Sequence, residues 1–429
     1  MKTVLRFFAL AILTLNCVLA QSQYKVLYRF SGPDGNAPSS VLLDQSGNLY
    51  GVTQSGGTGT ASNCPYGCGT VFRLSNSNGN WTLTTLHQFC SVASCLDGNT
   101  PTTALVLDSK GNLYGATQFG GSNNKGTVFE LSFSAGVWKE TVLYNFCSRG
   151  ENCPDGEEPS GALAHDALGN LYGATVGGGS GCSFQLMPGC GVAFELSPPS
   201  SQGGVWTESV IFNLCTISKG TQCPDGYFPL GGLTLGKSGN LFGTAAYGGN
   251  YSSQCFQGCG TLFMLHPQAN GWKSTLLYAP KTPASGEFPV APLTTDSAGA
   301  IYGSFAQGGQ VGAGVLFQLL TNGKGSEYSL APGNDDNRDA ALIIGNGVLY
   351  GSAFGSHSFN DDGSVFQFTA KTKETILYTF CSEAHCTDGN GPLGLQEDKA
   401  GNLYGVTTWG GNDSCAENPG CGVIFEITP

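Results

Sequence analysis

"GNLYGATQFGG", residues 111–121, recurs along the chain with small edits, and that recurrence decides the fold. The other copies are "GNLYGVTQSGG" from Gly47, "GNLYGATVGGG" from Gly169, "GNLFGTAAYGG" from Gly239, "GAIYGSFAQGG" from Gly299, "GVLYGSAFGS" from Gly347 and "GNLYGVTTWGG" from Gly401. A stretch written seven times marks a structural unit, and a repeat fixes architecture before any local feature does. The glycine after the aromatic falls at Gly51, Gly115, Gly173, Gly243, Gly303, Gly351 and Gly405, at spacings of 64, 58, 70, 60, 48 and 54 residues. Units of this length have room for several short strands and their turns.

The second unit shows four of them. "TALVLD" (103–108) runs into the turn "SKGN"; "NLYGAT" follows, then a glycine-rich loop, "GTVFELS" (126–132) and "VWKETVLYNF" (137–146). Each is short, rich in β-branched and aromatic residues and bounded by turn formers, which is the pattern of a strand. No apolar spacing of helical period follows residue 20, so the class is all-β. Four-stranded units repeated four to eight times build a β-propeller, and seven units predict seven blades of strands A to D.

The two ends supply a sharper expectation. "YKVLYRF" (24–30) matches a D strand, and the last stretch, "GVIFEIT" (422–428), matches a C strand. The first strand should therefore complete the last blade, closing the ring and hiding strand edges that would otherwise recruit other chains. In such a ring the B strands are buried on both faces, so the "NLYG" motif reads as core packing, with Gly115 and its equivalents leaving room for a neighbour's aromatic ring.

With units such as "GNLYGATQFGGSNNKGTVFELS", the chain resembles, over residues 24–429, a family of bacterial secreted proteins built from Gloeobacter/Verrucomicrobia (GloVer) repeats. The resemblance implies a secreted β-propeller and attaches no activity to the repeat.

The opening "MKTVLRFFALAILTLNCVLAQSQ" places Lys2 and Arg6 before a short apolar run ending in Val18-Leu19-Ala20, the pattern of a secretory signal cleaved after Ala20. The run is shorter than the about 20 residues a membrane-spanning helix needs. Residues 21–429 are thus expected to be the exported propeller domain. The formal charge of the chain is −12, and loss of Lys2 and Arg6 leaves 16 basic against 30 acidic side chains. That balance argues against nucleic acid, which calls for a clustered basic surface.

Setting aside Cys17, the cysteines fall in loops in close pairs: Cys64 and Cys68, Cys90 and Cys95, Cys147 and Cys153, Cys182 and Cys190, Cys215 and Cys223, Cys255 and Cys259, Cys381 and Cys386, Cys415 and Cys421. Local disulfides are the simplest account in an exported chain. Zinc is the rival for "CPYGC" and "CFQGC", but the five histidines keep no zinc-ligand spacing. No metal or cofactor is expected. Four pairs lie in B-to-C loops and four in D-to-A connections, so all eight should staple one face of the ring. The opposite face carries the A-to-B turns, where Asp108, Asp166 and Asp398 read as structural.

Longer, more varied loops on one rigid face make the stapled side the candidate binding face. Its D-to-A connections repeat Asp-Gly followed by Pro, at Asp34, Asp97, Asp155, Asp225 and Asp388, with Glu287 near the same place in "SGEFP". These carboxylates either ring the channel mouth, attracting a cation or a polyhydroxylated ligand, or each bonds its own turn. Just beyond strand B, equivalent positions hold Ser55, Phe119, Gly177, Tyr247, Gln307, Gly355 and Trp409. Phe119, Tyr247 and Trp409 either cover sugar faces beside the acids or pack into their own blades.

Catalysis has little support, since no "GxSxG", no "HExxH" and no phosphate-cradling loop is present. "NDDNRDA" (334–340) lacks the spaced oxygens of a calcium loop and reads as solvated. The primary expectation is a secreted, non-enzymatic module for glycans or protein partners. The alternative is a carbohydrate-active enzyme, a glycosidase or lyase, using two of the acids.

Overall fold

The computed structural model describes residues 22–429 apart from 60, 62–63, 181–182, 185–186, 202, 217–221, 322, 331–339, 346, 356–362, 370, 372, 413–414 and 416–419; at 183–184, 187–188 and 340–341 it describes the backbone alone. The described residues form seven antiparallel blades, each running from strand A to strand D. Blade 1 is Asn36–Leu43, Leu49–Ser55, Thr70–Ser77 and Asn80–Gln88. In blade 2 the A strand is broken into Asn99–Pro101 and Val106–Leu107 before Leu113–Phe119, Thr127–Ser134 and Val137–Asn145. Blade 7 takes Asn390–Glu397, Leu403–Trp409 and Val423–Thr428 from the end of the chain and Gln23–Arg29 from its beginning. Tyr24 faces Ile427, Val26 faces Phe425 and Arg29 faces Val423, as the sequence predicts. "NDDNRDA" lies outside the described residues except for the backbone of Ala340.

A strands surround the axis. Leu43, Leu107, His165, Leu235 and Leu293, one from each of blades 1 to 5, line a channel cavity of about 550 Å³. B strands are buried along their length, Leu49 to Thr53 without a break, whereas D strands alternate exposed and covered positions as half-solvated strands do.

The glycines of the repeat sit directly opposite a phenylalanine of strand C: Gly51 faces Phe72, Gly115 faces Phe129, Gly173 faces Phe194 and Gly405 faces Phe425. A Cβ on Gly115 would lie 2.6 Å from Phe129 Cζ. The ring that fills this space therefore belongs to the same blade, which corrects the expectation that a neighbouring blade supplies it. The reason is register: strands B and C are adjacent, and the ring lies back across the strand facing it. The neighbouring blade then meets that ring edge-on, Phe30 against Phe72 at 5.3 Å, Phe89 against Phe129 at 5.2 Å and Phe146 against Phe194 at 5.1 Å. Each buried phenylalanine contributes about 1.5–3 kcal/mol, so this chain of rings is a main adhesive between blades.

A-to-B turns explain the rest of "GNLY". Asp108 Oδ1 accepts from the backbone N–H of Lys110 and Asn112, and Oδ2 from Asn112 Nδ2 and the Tyr114 hydroxyl. Asp166 and Asp398 repeat the arrangement. Partial burial pushes these carboxyls up, but the hydrogen bonds outweigh it and hold them below the usual range.

Two D-strand glutamates pull the other way. Burial, with Asp97 nearby, pushes Glu140 up to about 7, and burial pushes Glu208 to about 7 despite its 2.6 Å ion pair with Arg149. The folded protein holds those two protons more tightly than the unfolded chain. Their contribution is complete below the unfolded glutamate value of about 4.3 and fades as pH climbs toward 7. The turn aspartates act in reverse, their contribution fading as pH falls below about 3.9. Thermal stability should peak in mildly acidic solution and fall by at least about 2 °C by pH 8. Glu140→Gln should flatten that alkaline fall in a pH series of melting curves; an unchanged fall counts against the assignment.

Candidate functional site

Seven disulfides are formed among the described residues: Cys64–Cys68, Cys90–Cys95, Cys147–Cys153, Cys215–Cys223, Cys255–Cys259, Cys381–Cys386 and Cys415–Cys421. The pairing of Cys182 with Cys190 involves a position outside the described residues. The sulfurs of Cys64, Cys68, Cys90 and Cys95 lie within 4.8 Å of one another, so the staples of a B-to-C loop and a D-to-A connection touch. Joined as two disulfides, they offer no thiolates to zinc. Each small loop closed this way gains about 2 kcal/mol from chain entropy. In blade 2, where the B-to-C loop has no cysteine, Lys125 instead reaches the buried Glu157 of blade 3.

The aspartates of the D-to-A connections each close their own loop. Asp155 accepts from the Ser148 amide at 2.8 Å, the Ser148 hydroxyl at 3.0 Å and the Tyr144 hydroxyl at 2.7 Å. Asp388 takes the same three partners from Ser382 and Tyr378, and Asp34 from Ser31 and Tyr28. Asp225 accepts from the amide and hydroxyl of Thr216. Asp97 accepts from Ser91, and His87 stands 3.2 Å away in the place of the tyrosine. Burial raises Asp97, but His87 and Ser91 overcome it and hold its carboxyl below the ordinary range. Asp97, Asp155 and Asp388 are at most 2% exposed, so the structure spends these groups on loop closure rather than gathering them at an open mouth.

Glu287 is different in kind. Ser285 occupies the place of the aspartate in that connection, and Glu287 lies two residues on, level with Asn36, Asn99 and Tyr227. Its backbone exchanges hydrogen bonds with Gln307, as Tyr227 does with Tyr247 one blade earlier. Burial pushes its carboxyl above the usual glutamate range.

Around it the chain assembles an aromatic wall. Tyr247 stacks on Tyr227 at 5.3 Å and meets Phe288 at 5.2 Å. Phe256, 80% exposed on the loop closed by Cys255–Cys259, faces the same space. Tyr247, Phe256 and Phe288, with Gln257, Gln307 and Glu287, line a pocket of about 250 Å³ on the stapled face, where blade 4 (Leu233–Leu235, Leu241–Ala245, Thr261–Gln268, Gly271–Tyr278) meets blade 5 (Thr294–Thr295, Ile301–Phe305, Val315–Leu319, Gly325–Ser329). Of the aromatics singled out in the sequence, Tyr247 enters this pocket; Trp409 packs edge-on against Phe354 at 5.2 Å, and Phe119 pairs across its strand with Asn99 on blade 2.

Phe256 and Phe288 were not legible as partners of Tyr247. The one available signal for Phe288 is its place before a proline. In blades 1 to 5 that residue, Ala37, Thr100, Glu158, Phe228 or Phe288, has φ between 54° and 63°. Its N–H donates to a carbonyl of the preceding blade, that of Cys421, Cys68, Lys125, Cys190 or Cys259. The proline after it presses on a glycine of that blade: a Cβ on Gly69 would lie 2.5 Å from Pro101 Cδ and one on Gly260 2.4 Å from Pro289 Cδ. A left-handed residue costs about 1–2 kcal/mol, which the cross-blade bond and the proline contact offset.

A family model described as the Gloeobacter/Verrucomicrobia repeat matches residues 14–187 and 151–354, well over half of the chain. The chain belongs to the Gloeobacter/Verrucomicrobia repeat family. This member is similar in structure to a catalytically inactive virginiamycin B lyase from Staphylococcus aureus crystallised with quinupristin, at 14% identity and a TM-score of 0.54 over 95% of this chain and 100% of that one. A gluconolactonase from Xanthomonas campestris is similar at 10% identity and a TM-score of 0.43, over 95% of this chain and 90% of that one. No curated protein sequence matches this repeat protein. At such identities the likeness to the lyase establishes a shared propeller fold and nothing about activity. Its disulfides point to an oxidising environment, and no described helix is long and apolar enough to cross a membrane.

Proposed function

We propose that this repeat protein is exported by its leader, ending at Ala20, and acts as a binding propeller that holds a glycan in the pocket between blades 4 and 5. The observation that carries the reading is the meeting of Tyr247, Phe256 and Phe288 with Glu287 and Gln307 in one concave site. Aromatic faces cover the C–H face of a sugar ring, while a carboxyl and an amide bond its hydroxyls. Binding fits the site better than turnover. Glu287 is the only carboxylate among the described lining residues, whereas standard glycoside hydrolysis uses two.

Titration calorimetry against plant and microbial oligosaccharides, chosen by glycan-array screening, tests this. Phe256→Ser and Glu287→Gln should each weaken binding by about tenfold or more while melting stays unchanged, because Phe256 is exposed and Glu287→Gln is isosteric. Absence of any glycan ligand, or release of reducing ends by the unaltered protein, overturns the proposal.

A further inference from the structure

Four of the seven seams between blades are sealed on their outer side by the same device. A tryptophan at the start of strand D meets the repeat tyrosine of the preceding blade with the rings steeply inclined: Trp81 and Tyr404 at 6.4 Å, Trp138 and Tyr50 at 6.5 Å, Trp206 and Tyr114 at 6.2 Å and Trp272 and Tyr172 at 5.8 Å. The D strands of blades 5, 6 and 7 begin without one; in blade 6 (Ala340–Gly345, Val348–Ala353, Ser364–Thr369, Lys373–Thr379) the aligned position in the sequence is Thr372.

Of the three seams without the tryptophan, the one between blades 5 and 6 leaves its repeat aromatic uncovered, whereas Phe242 and Tyr350 at the other two stay buried. The aromatics at the repeat position, Tyr50, Tyr114, Tyr172, Phe242, Tyr350 and Tyr404, are 5–9% exposed. Tyr302, their equivalent, is not buried. Its ring faces a cavity of about 380 Å³ between blades 5 and 6, walled also by Tyr328, Leu349 and Phe368. The ring is held in place from below, its hydroxyl donating to Asp296 at 3.0 Å and accepting from Gln318 at 2.7 Å.

The seam between blades 5 and 6 thus holds a space of ligand size with aromatic walls. Two charged groups stand at it: Lys373, its Nζ 5.5 Å from the centre of the Tyr328 ring and in no ion pair among the described residues, and Glu327, whose carboxylate accepts from the Tyr278 hydroxyl of blade 4. We infer that this seam is a second binding site, taking a small planar aromatic acid of indole size, with the ring over Tyr302 in the place of the missing tryptophan and the carboxylate at Lys373. The ring recovers the inclined aromatic contact that tryptophan makes at four other seams, and the Lys373 ammonium supplies a preference for an anion. The site is separate from the pocket at Glu287 and stands or falls independently of glycan binding.

Indole-3-acetate, indole and cyclohexanecarboxylate titrated into the full protein by calorimetry test the inference. Indole-3-acetate should bind saturably and at least about tenfold more tightly than either of the other two. Ser326→Trp, at the cavity wall, should fill the space from within and abolish binding; Phe368→Leu, which keeps an apolar wall, should weaken it if Ser326→Trp disturbs folding. Lys373→Gln should bring indole-3-acetate down to the level of indole. No saturable binding, affinity untouched by both wall variants, or a Lys373→Gln protein that still prefers the acid overturns the inference.

Discussion

Removing residues 22–30 should leave a chain with no cooperative melting transition. The segment supplies the whole outer strand of blade 7, so its loss exposes the edge of Val423–Thr428, a strand whose residues Val423 to Ile427 are mostly fully buried. It also removes contacts with two further blades. Tyr24 stacks on Tyr378 of blade 6 at 3.8 Å and donates its hydroxyl to the carbonyl of Asp388, while Phe30 packs against Phe72 of blade 1. An open ring loses a seam and gains an unpaired apolar edge, the combination that drives strand-to-strand aggregation. A milder lesion at the same joint, Phe30→Ala, should cost about 3–5 kcal/mol in chemical denaturation because the ring is fully buried. Adding a peptide of residues 22–31 to the truncated chain should restore part of the transition. A truncated protein that melts as the intact one does would show that closure is ornamental.

That closure could be read from the sequence because it is a statement about order: a D-like strand first and a C-like strand last leave one arrangement for a ring. The staples were legible for a similar reason, since cysteines four to eight residues apart in loops have few other partners. The candidate site was harder. Asp97, Asp155 and Asp388 attract attention as a repeated acid, yet the repeat exists because each loop needs the same acceptor for its Ser and Tyr. Glu287 looks like one more member and is not, because its connection carries Ser285 where the others carry aspartate. Phe256 and Phe288 come to Tyr247 through a disulfide loop and a left-handed residue before proline, and neither placement follows from strand periodicity. The missing tryptophan of blade 6 can be counted in the sequence, but only packing shows that tryptophan seals seams.

The second large effect concerns the glycine that follows the aromatic in each repeat. Gly51→Ala should cost about 3 kcal/mol, the upper part of the overpacking range. A Cβ there would come within 2.3 Å of the Ser40 backbone oxygen and 2.5 Å of Phe72 Cζ. At Gly173 the nearest atoms belong to side chains, Phe194 Cζ at 2.5 Å and Leu163 Cδ2 at 2.7 Å. The two positions look alike in the repeat but should respond differently to relief. Shortening the facing ring removes the nearer of the two obstacles at Gly173, so Phe194→Leu should recover part of the cost of Gly173→Ala, a favourable coupling between neighbours. At Gly51 the obstacle is the adjacent strand itself, and Phe72→Leu should add its own loss without rescue. Gly47→Ala provides the contrast: nothing lies within 4 Å of its Cβ, and the cost reduces to about 1–2 kcal/mol for a left-handed φ of +82°. Urea unfolding of these variants should order them Gly51, Gly173, Gly47 from most to least damaged. Equal losses at Gly51 and Gly173, rescued alike by leucine, would mean that the repeat glycine makes room for the ring alone and not for the close approach of strands A and B.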